Sequence, residues 1–198
     1  REDDQVIQVR LTTGDSQIIM ANKHGRAIRF HESTVREMGR TATGVRGMTL
    51  DETGDDEVIG MICIKDPEKE TVMVVSEQGY GKRSEIEDYR ITNRGGKGVK
   101  TLNITEKTGN LVAIKSVTDE NDLVIINKSG ITLRMKVADV RIMGRATQGV
   151  RLINLEKRND EIASVCKVLS ETESDSSNSE NIDSASEINE AEASETTE

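Results

Sequence analysis

Gly39-Arg40-Thr41-Ala42-Thr43-Gly44-Val45-Arg46 decides how this chain is read, because the chain writes that stretch three times. It returns as Asn93-Arg94-Gly95-Gly96-Lys97-Gly98-Val99-Lys100, and again as Gly144-Arg145-Ala146-Thr147-Gln148-Gly149-Val150-Arg151. In each copy an Arg leads, a turn of small residues follows, and Gly-Val-basic opens an apolar segment. Gly44, Gly98 and Gly149 stand 54 and then 51 positions apart. Self-similarity at such a period marks a repeat architecture.

Outward from the turn, each copy carries the same grammar. A continuous apolar run opens it: Ile18-Ile19-Met20-Ala21, Val72-Met73-Val74-Val75 or Leu123-Val124-Ile125-Ile126. An unbroken run of that length suits a strand covered on both faces. A tight turn at Gly25, Gly79 or Gly130 sends the chain back along a partner strand, such as Arg26 to Phe30. In the first repeat a third strand is expected over Arg46 to Leu50 and a fourth over Glu57 to Ile64. Residues 5–11 resemble these fourth strands. They are therefore expected to close an earlier repeat, which would make the chain the C-terminal part of a longer array that starts upstream of Arg1. The expected units are 1–15 (closing strand), then 16–66, 67–119 and 120–169, then a tail over 170–198. Four-stranded antiparallel units at this period fit the blades of an all-β propeller better than a sandwich or a solenoid.

Composition agrees. Aromatic residues make up 2% of the chain and Trp is absent, so the core must be aliphatic. One Pro against 16 Gly fits turns made by glycine. The formal charge of −9 belongs to the tail, since Ser170 to Glu198 holds ten acidic residues and no basic one. What remains, 26 acidic against 27 basic residues, is nearly neutral. The tail itself is too polar to bury a core and is expected to be disordered. Cys63 and Cys166, without a CxxC spacing or His partners, are expected as reduced core residues in a cytoplasmic protein. No apolar run reaches the roughly 18 residues of a membrane span, and no leader is visible.

Positive charge recurs in columns. Arg29, Arg83 and Arg134 follow the hairpin glycine; Arg40, Arg94 and Arg145 lead the repeated turn; Arg46, Lys100 and Arg151 close it. Lys82 and Lys97 add to the second repeat. Cations repeated at one place per unit, beside glycines that let backbone N–H groups approach closely, suit a polyanion such as duplex DNA. Ion pairing between neighbouring units is the structural alternative, and the in-strand column of Arg29, Arg83 and Arg134 is open to both readings. Enzyme readings lack support. His24 and His31 have no ligand-spaced partners, no phosphate-binding loop occurs, and the acidic clusters Asp51-Glu52 and Asp55-Asp56-Glu57 read as solvated loops. Neither a catalytic group, a metal site nor a cofactor site is expected within the chain.

Three longer stretches resemble a known family: Arg29 to Gly39 with Thr43-Gly44-Val45-Arg46-Gly47, Gln78 to Arg83, and Val140 to Val150. They are similar to the C-terminal domain of DNA gyrase A. The resemblance implies a six-bladed β-pinwheel of which these are the last three blades, with a basic rim that wraps double-stranded DNA for negative supercoiling. It further implies association with the rest of gyrase A and with gyrase B in an A2B2 complex. ATP and Mg2+ would be used elsewhere in that parent enzyme, a type II topoisomerase, so Tyr80 and Tyr89 inherit no catalytic role. Asn93-Arg94-Gly95-Gly96-Lys97-Gly98 looks like a degenerate form of the family's Gln-basic-basic-Gly-Gly-basic-Gly box. The equivalent domain of topoisomerase IV and a protein-interaction propeller stand as alternatives.

Overall fold

The computed structural model describes residues 4–52, 54–155 and 160–170. The acidic tail read above as disordered lies outside the described residues. Eleven strands are described: β1 (Gln17–Asn22), β2 (Arg26–His31), β3 (Val58–Ile64), β4 (Thr71–Ser76), β5 (Tyr80–Glu85), β6 (Val99–Lys100), β7 (Leu111–Val117), β8 (Asn121–Asn127), β9 (Thr132–Lys136), β10 (Val150–Arg151) and β11 (Ile162–Leu169). They form three antiparallel sheets in the orders β3-β1-β2-β6, β10-β5-β4-β7 and β11-β8-β9. All three hairpins turn on a glycine in the left-handed region, with φ of 77° at Gly25 and Gly79 and 87° at Gly130.

The apolar strand of each hairpin is flanked on both sides. β4 pairs with β5 on one edge and β7 on the other, with Val74 opposite both Lys82 and Ile114. Its side chains alternate between two cores. Val72 and Val74 pack with Ile19, Ala21 and Ile62 of the first sheet. Met73 and Val75 pack with Leu123, Ile125 and Val165 of the third. A strand sandwiched between sheets has no solvent face, so its sequence shows no polar alternation. Each fully buried aliphatic side chain contributes about 1.5–3 kcal/mol, which makes β4 the best-anchored strand of the fold.

The fourth place in each sheet is not filled from within its own repeat. β6 of the second repeat completes the first sheet, placing Lys100 and Val99 opposite Arg26 and Ala27 of β2. β10 of the third repeat does the same for the second sheet, against Gly81 and Tyr80. The repeats are thus laced together by strand exchange, and the expectation of four strands drawn from each repeat is corrected. It follows that Arg46 to Leu50, expected as a strand, carries none. Its counterparts pair with the repeat before them, and among the described residues there is no such sheet for it to join.

Residues 5–11 also carry no strand. Their counterparts β3, β7 and β11 each pair with the first strand of their own hairpin, and here that strand is absent from the described residues. Val6 and Leu11 are left 86% and 97% exposed, while Gln8 accepts a hydrogen bond from Met61 N at 2.9 Å. Cys63 is half-buried, but Cys166 is exposed, which corrects its reading as a core residue.

Candidate nucleic-acid interface

The columns of positive charge do not share one environment. Arg29 lies on β2 with 3% of its surface exposed. Its guanidinium donates to Ile86 O (2.9 Å) and Tyr89 O (3.0 Å), at either end of a 3-10 turn (Ile86–Asp88) in the second repeat, and reaches Glu87 at 3.3 Å. Arg83 repeats this geometry on β5. It donates to Val137 O and Val140 O of the third repeat and pairs with Asp119 at 2.7 Å. Arg134 pairs with Asp122 at 2.8 Å within its own sheet. Arg29 and Arg83 are bolts between repeats, so their assignment to DNA is corrected: a surface ligand cannot reach them, and removing them would take a charged donor from carbonyls at the joint. Lys82 is corrected on the same ground. It is fully buried, and its Nζ donates to Gly144 O (2.8 Å) and Arg145 O of the third repeat's turn. Burial lowers its pKa to about 8.

Arg94 and Arg145 hold an intermediate position. Arg94 Nε donates to Thr34 O at 2.9 Å and its NH1 to Arg46 O at 3.2 Å. One repeat on, Arg145 Nε donates to Asp88 O and NH1 to Lys100 O, both at 2.9 Å. Two guanidinium nitrogens in each therefore clamp the preceding repeat, and the half-exposed remainder faces outward. Arg40 has no preceding repeat to clamp among the described residues and stands exposed. The glycine that follows each Arg by four positions is required by the same docking. A side chain at Gly149, where φ is 80°, would place Cβ 2.6 Å from Gly81 O; Gly98 meets Ala27 O in the same way. Gly44, the first copy, faces open space.

Arg46, Lys97, Lys100 and Arg151 remain at the surface. Lys100 donates to Asn103 at 3.2 Å. Arg151 donates to the Tyr80 hydroxyl at 2.9 Å and lies 5.5 Å from that ring's centroid. Arg46 and Lys97 form no side-chain bond among the described residues. A further column escaped the sequence reading: Arg36, Arg90 and Arg141, at the same 54 and 51 spacing. All three are exposed, and their side chains have no ion pair or hydrogen bond among the described residues. Arg36 and Arg90 follow by two positions the carbonyls that Arg94 and Arg145 clamp, so they border the docked turns. The signal that would have found them is the period itself, applied to every Arg rather than to the conspicuous turn.

The remaining chemistry is structural. Tyr89 is fully buried with its hydroxyl 2.5 Å from Thr101 Oγ1, and burial pushes its pKa to about 12. Asp56, expected in solvent, has a buried carboxylate that accepts from Asn22 Nδ2 at 2.6 Å and from the amides of His24 and Asp51. His24 sits against Asp51, 3.4 Å from Asp55, and its pKa is raised by the Asp51 hydrogen bond and by the surrounding carboxylates, against a smaller desolvation effect. His24, Asp51 and Asp55 could together offer donors to a metal ion, but exposed acidic groups of this kind are common without one. None of these groups forms a nucleophile–base pair. Among the described residues no helix is long and apolar enough to cross a membrane.

This geometry of laced four-stranded sheets has known relatives. The model of the family described as DNA gyrase C-terminal domain, beta-propeller matches residues 16–65, 70–118 and 121–166. The chain belongs to that family. The DNA gyrase A protein of Staphylococcus aureus (strain NCTC 8325 / PS 47) is 48% identical over 180 residues, covering 91% of this chain and 20% of that protein. The chain thus spans about a fifth of the length of that curated relative. A crystal structure of the C-terminal domain of DNA topoisomerase IV superposes with a TM-score of 0.78 at 26% identity, covering 84% of this chain and 51% of the other. A DNA gyrase A C-terminal domain superposes with a TM-score of 0.72 at 28% identity, covering 80% and 52%. The family's matched segments correspond to the three hairpin-plus-closing-strand units.

Proposed function

We propose that this chain is a DNA-wrapping module of DNA gyrase A, bending duplex DNA along the edge that carries the repeated turns. The observation that supports this reading is the column Arg36, Arg90 and Arg141, repeated once per unit without a partner carboxylate, beside exposed Arg46, Lys97 and Lys100. Charges held at one place in successive units follow a curved path. Bending 20–30 bp by 40–90° costs on the order of 1–6 kcal/mol, more than one basic patch would offset, so the cations must recur along the bend. The family membership and the 48% identity to a DNA gyrase A protein support gyrase over topoisomerase IV as the parent.

In this reading the chain supplies no catalytic group. Strand passage, ATP hydrolysis and Mg2+ binding belong to the rest of gyrase A and to gyrase B in a cytoplasmic A2B2 complex. The test is topological. Nicked plasmid religated in the presence of the protein should show a shifted linking number if DNA is wrapped. Binding without any shift, or no binding, would refute wrapping.

A further inference from the structure

The edge of each sheet opposite the docked turns carries a second collection of cations. β3, β7 and β11 are the edge strands there, and β7 touches both of the others. At one end of this strand trio a cavity of about 630 Å³ is lined by Arg10, Lys65, Lys115 and Lys167, drawn from four separate segments. No ion pair neutralises any of the four among the described residues. Two acidic residues also line it. Glu70 is already engaged by neutral donors: its carboxylate accepts from Lys65 N (3.0 Å), Asp66 N (2.9 Å) and Ser116 Oγ. Glu120 is exposed. Lys115 is half-buried, and its pKa is lowered by burial, with Arg10 and Lys167 adding to the effect against an opposing pull from Cys166.

Like charges converging in a concavity repel one another, and Lys115, the half-buried one among three exposed cations, is partly desolvated as well. An anion placed among them would relieve both costs. We propose that this cavity is a binding site for a small multiply charged phosphate compound, of the size of pyrophosphate or a nucleotide. The volume lies within the range of small-ligand pockets. Arg10 can grip a phosphate with two parallel bonds, the lysines act as point charges, and the Thr118 hydroxyl at the cavity wall supplies a neutral donor. The site is separate from the proposed DNA edge. Three strand spacings of about 4.8 Å, roughly 14 Å of sheet, lie between β3 and β6, so a duplex on the outer edge cannot fill the cavity. The inference therefore does not rest on the wrapping proposal.

Isothermal titration of the full protein that carries this chain with sodium pyrophosphate, at fixed ionic strength, tests it. Saturable binding is expected, with affinity at least tenfold weaker in Lys115→Gln/Lys167→Gln and unchanged in Arg90→Ala. Saturating duplex DNA should leave it intact. Arg10→Gln, at an exposed side chain, repeats the test at a second position and should also weaken binding several-fold. Absence of saturable binding, affinity equal to wild type in both cavity variants, or displacement by duplex would overturn the proposal.

Discussion

Arg29 and Arg36 are seven positions apart, recur at the same spacing, and have opposite fates. Arg29 and its copy Arg83 are swallowed by the joint between repeats, each holding both ends of the next repeat's 3-10 turn by its carbonyls. Arg36 and its copies Arg90 and Arg141 stand in solvent with no partner among the described residues. Residue type and period are identical, so neither decides the role. What decides it is strand parity and the supply of acceptors. Arg29 lies inside β2 and points at a turn whose two end carbonyls have room for a further donor, since Ile86 O accepts only the Tyr89 amide from within the turn. Arg36 lies past the strand, two residues beyond the Thr34 carbonyl that Arg94 clamps, with its own side chain in solvent. Internal repetition therefore says that a position matters in every unit, without saying whether it ties units together or meets a ligand.

The comparison can be broken most forcefully at the interior column. Arg83→Ala removes the charged donor shared by Val137 O and Val140 O and the ion pair with Asp119, and should cost about 3 kcal/mol, lowering Tm by about 6–12 °C for a chain of this size. Calorimetry that found Tm unchanged would remove the distinction drawn here. A smaller effect is expected at the clasp. Gly149→Ala forces a side chain into the left-handed region against Gly81 O and should cost about 2 kcal/mol. The loss should be local, with hydrogen exchange faster at Val150 and Gly81, whose strands are pulled apart, than at Val74 of the central strand. Uniform acceleration across the chain would show that the clasp is not a separable element.

Much of this fold was legible in residues. The period placed three hairpins, the turn glycines marked their tips, and the continuous run Val72 to Val75 announced a strand buried on both faces. Strand exchange was not legible. Val99-Lys100 follows the same turn as Val45-Arg46, and nothing local says that it belongs to the preceding sheet. That fact lives in the tight approach of Gly98 to Ala27. The same blindness hid the fate of residues 5–11, whose sequence is strand-like but whose partner strand is not among the described residues. At the candidate interface, a basic turn copied three times looked like one site, yet two of its three leading arginines each commit two donors to carbonyls of the preceding repeat. Arg36, Arg90 and Arg141 sat in a bland connector and were overlooked.

A finer test concerns the first repeat, where His24 replaces the residue that is Ser129 in the third. Both amides donate to an equivalent carboxylate, Asp56 or Asp160. His24 alone adds a titration. Its pKa is raised in the folded state, so the folded chain holds the proton more tightly than the unfolded one. The extra stability is fully present below the unfolded value near 6.5 and is lost as pH rises through the higher folded value. The Tm difference between wild type and His24→Asn should be about 1–2 °C larger at pH 6 than at pH 8.5. A difference independent of pH would show that the ring acts only as a spacer.

The most direct measurement of the central claim sets the two columns against each other in DNA binding. Affinity for a nonspecific duplex is followed over a salt series for wild type, Arg83→Ala and the triple variant Arg36→Ala/Arg90→Ala/Arg141→Ala, below the melting range of each. Each phosphate contact contributes about 0.9 to the slope of log K against log salt, so the triple variant should flatten it by about 2.7, with Tm unchanged. Arg83→Ala should keep the wild-type slope despite its lower Tm. A triple variant with the wild-type slope, or an Arg83→Ala slope flattened like the triple's, would contradict the account.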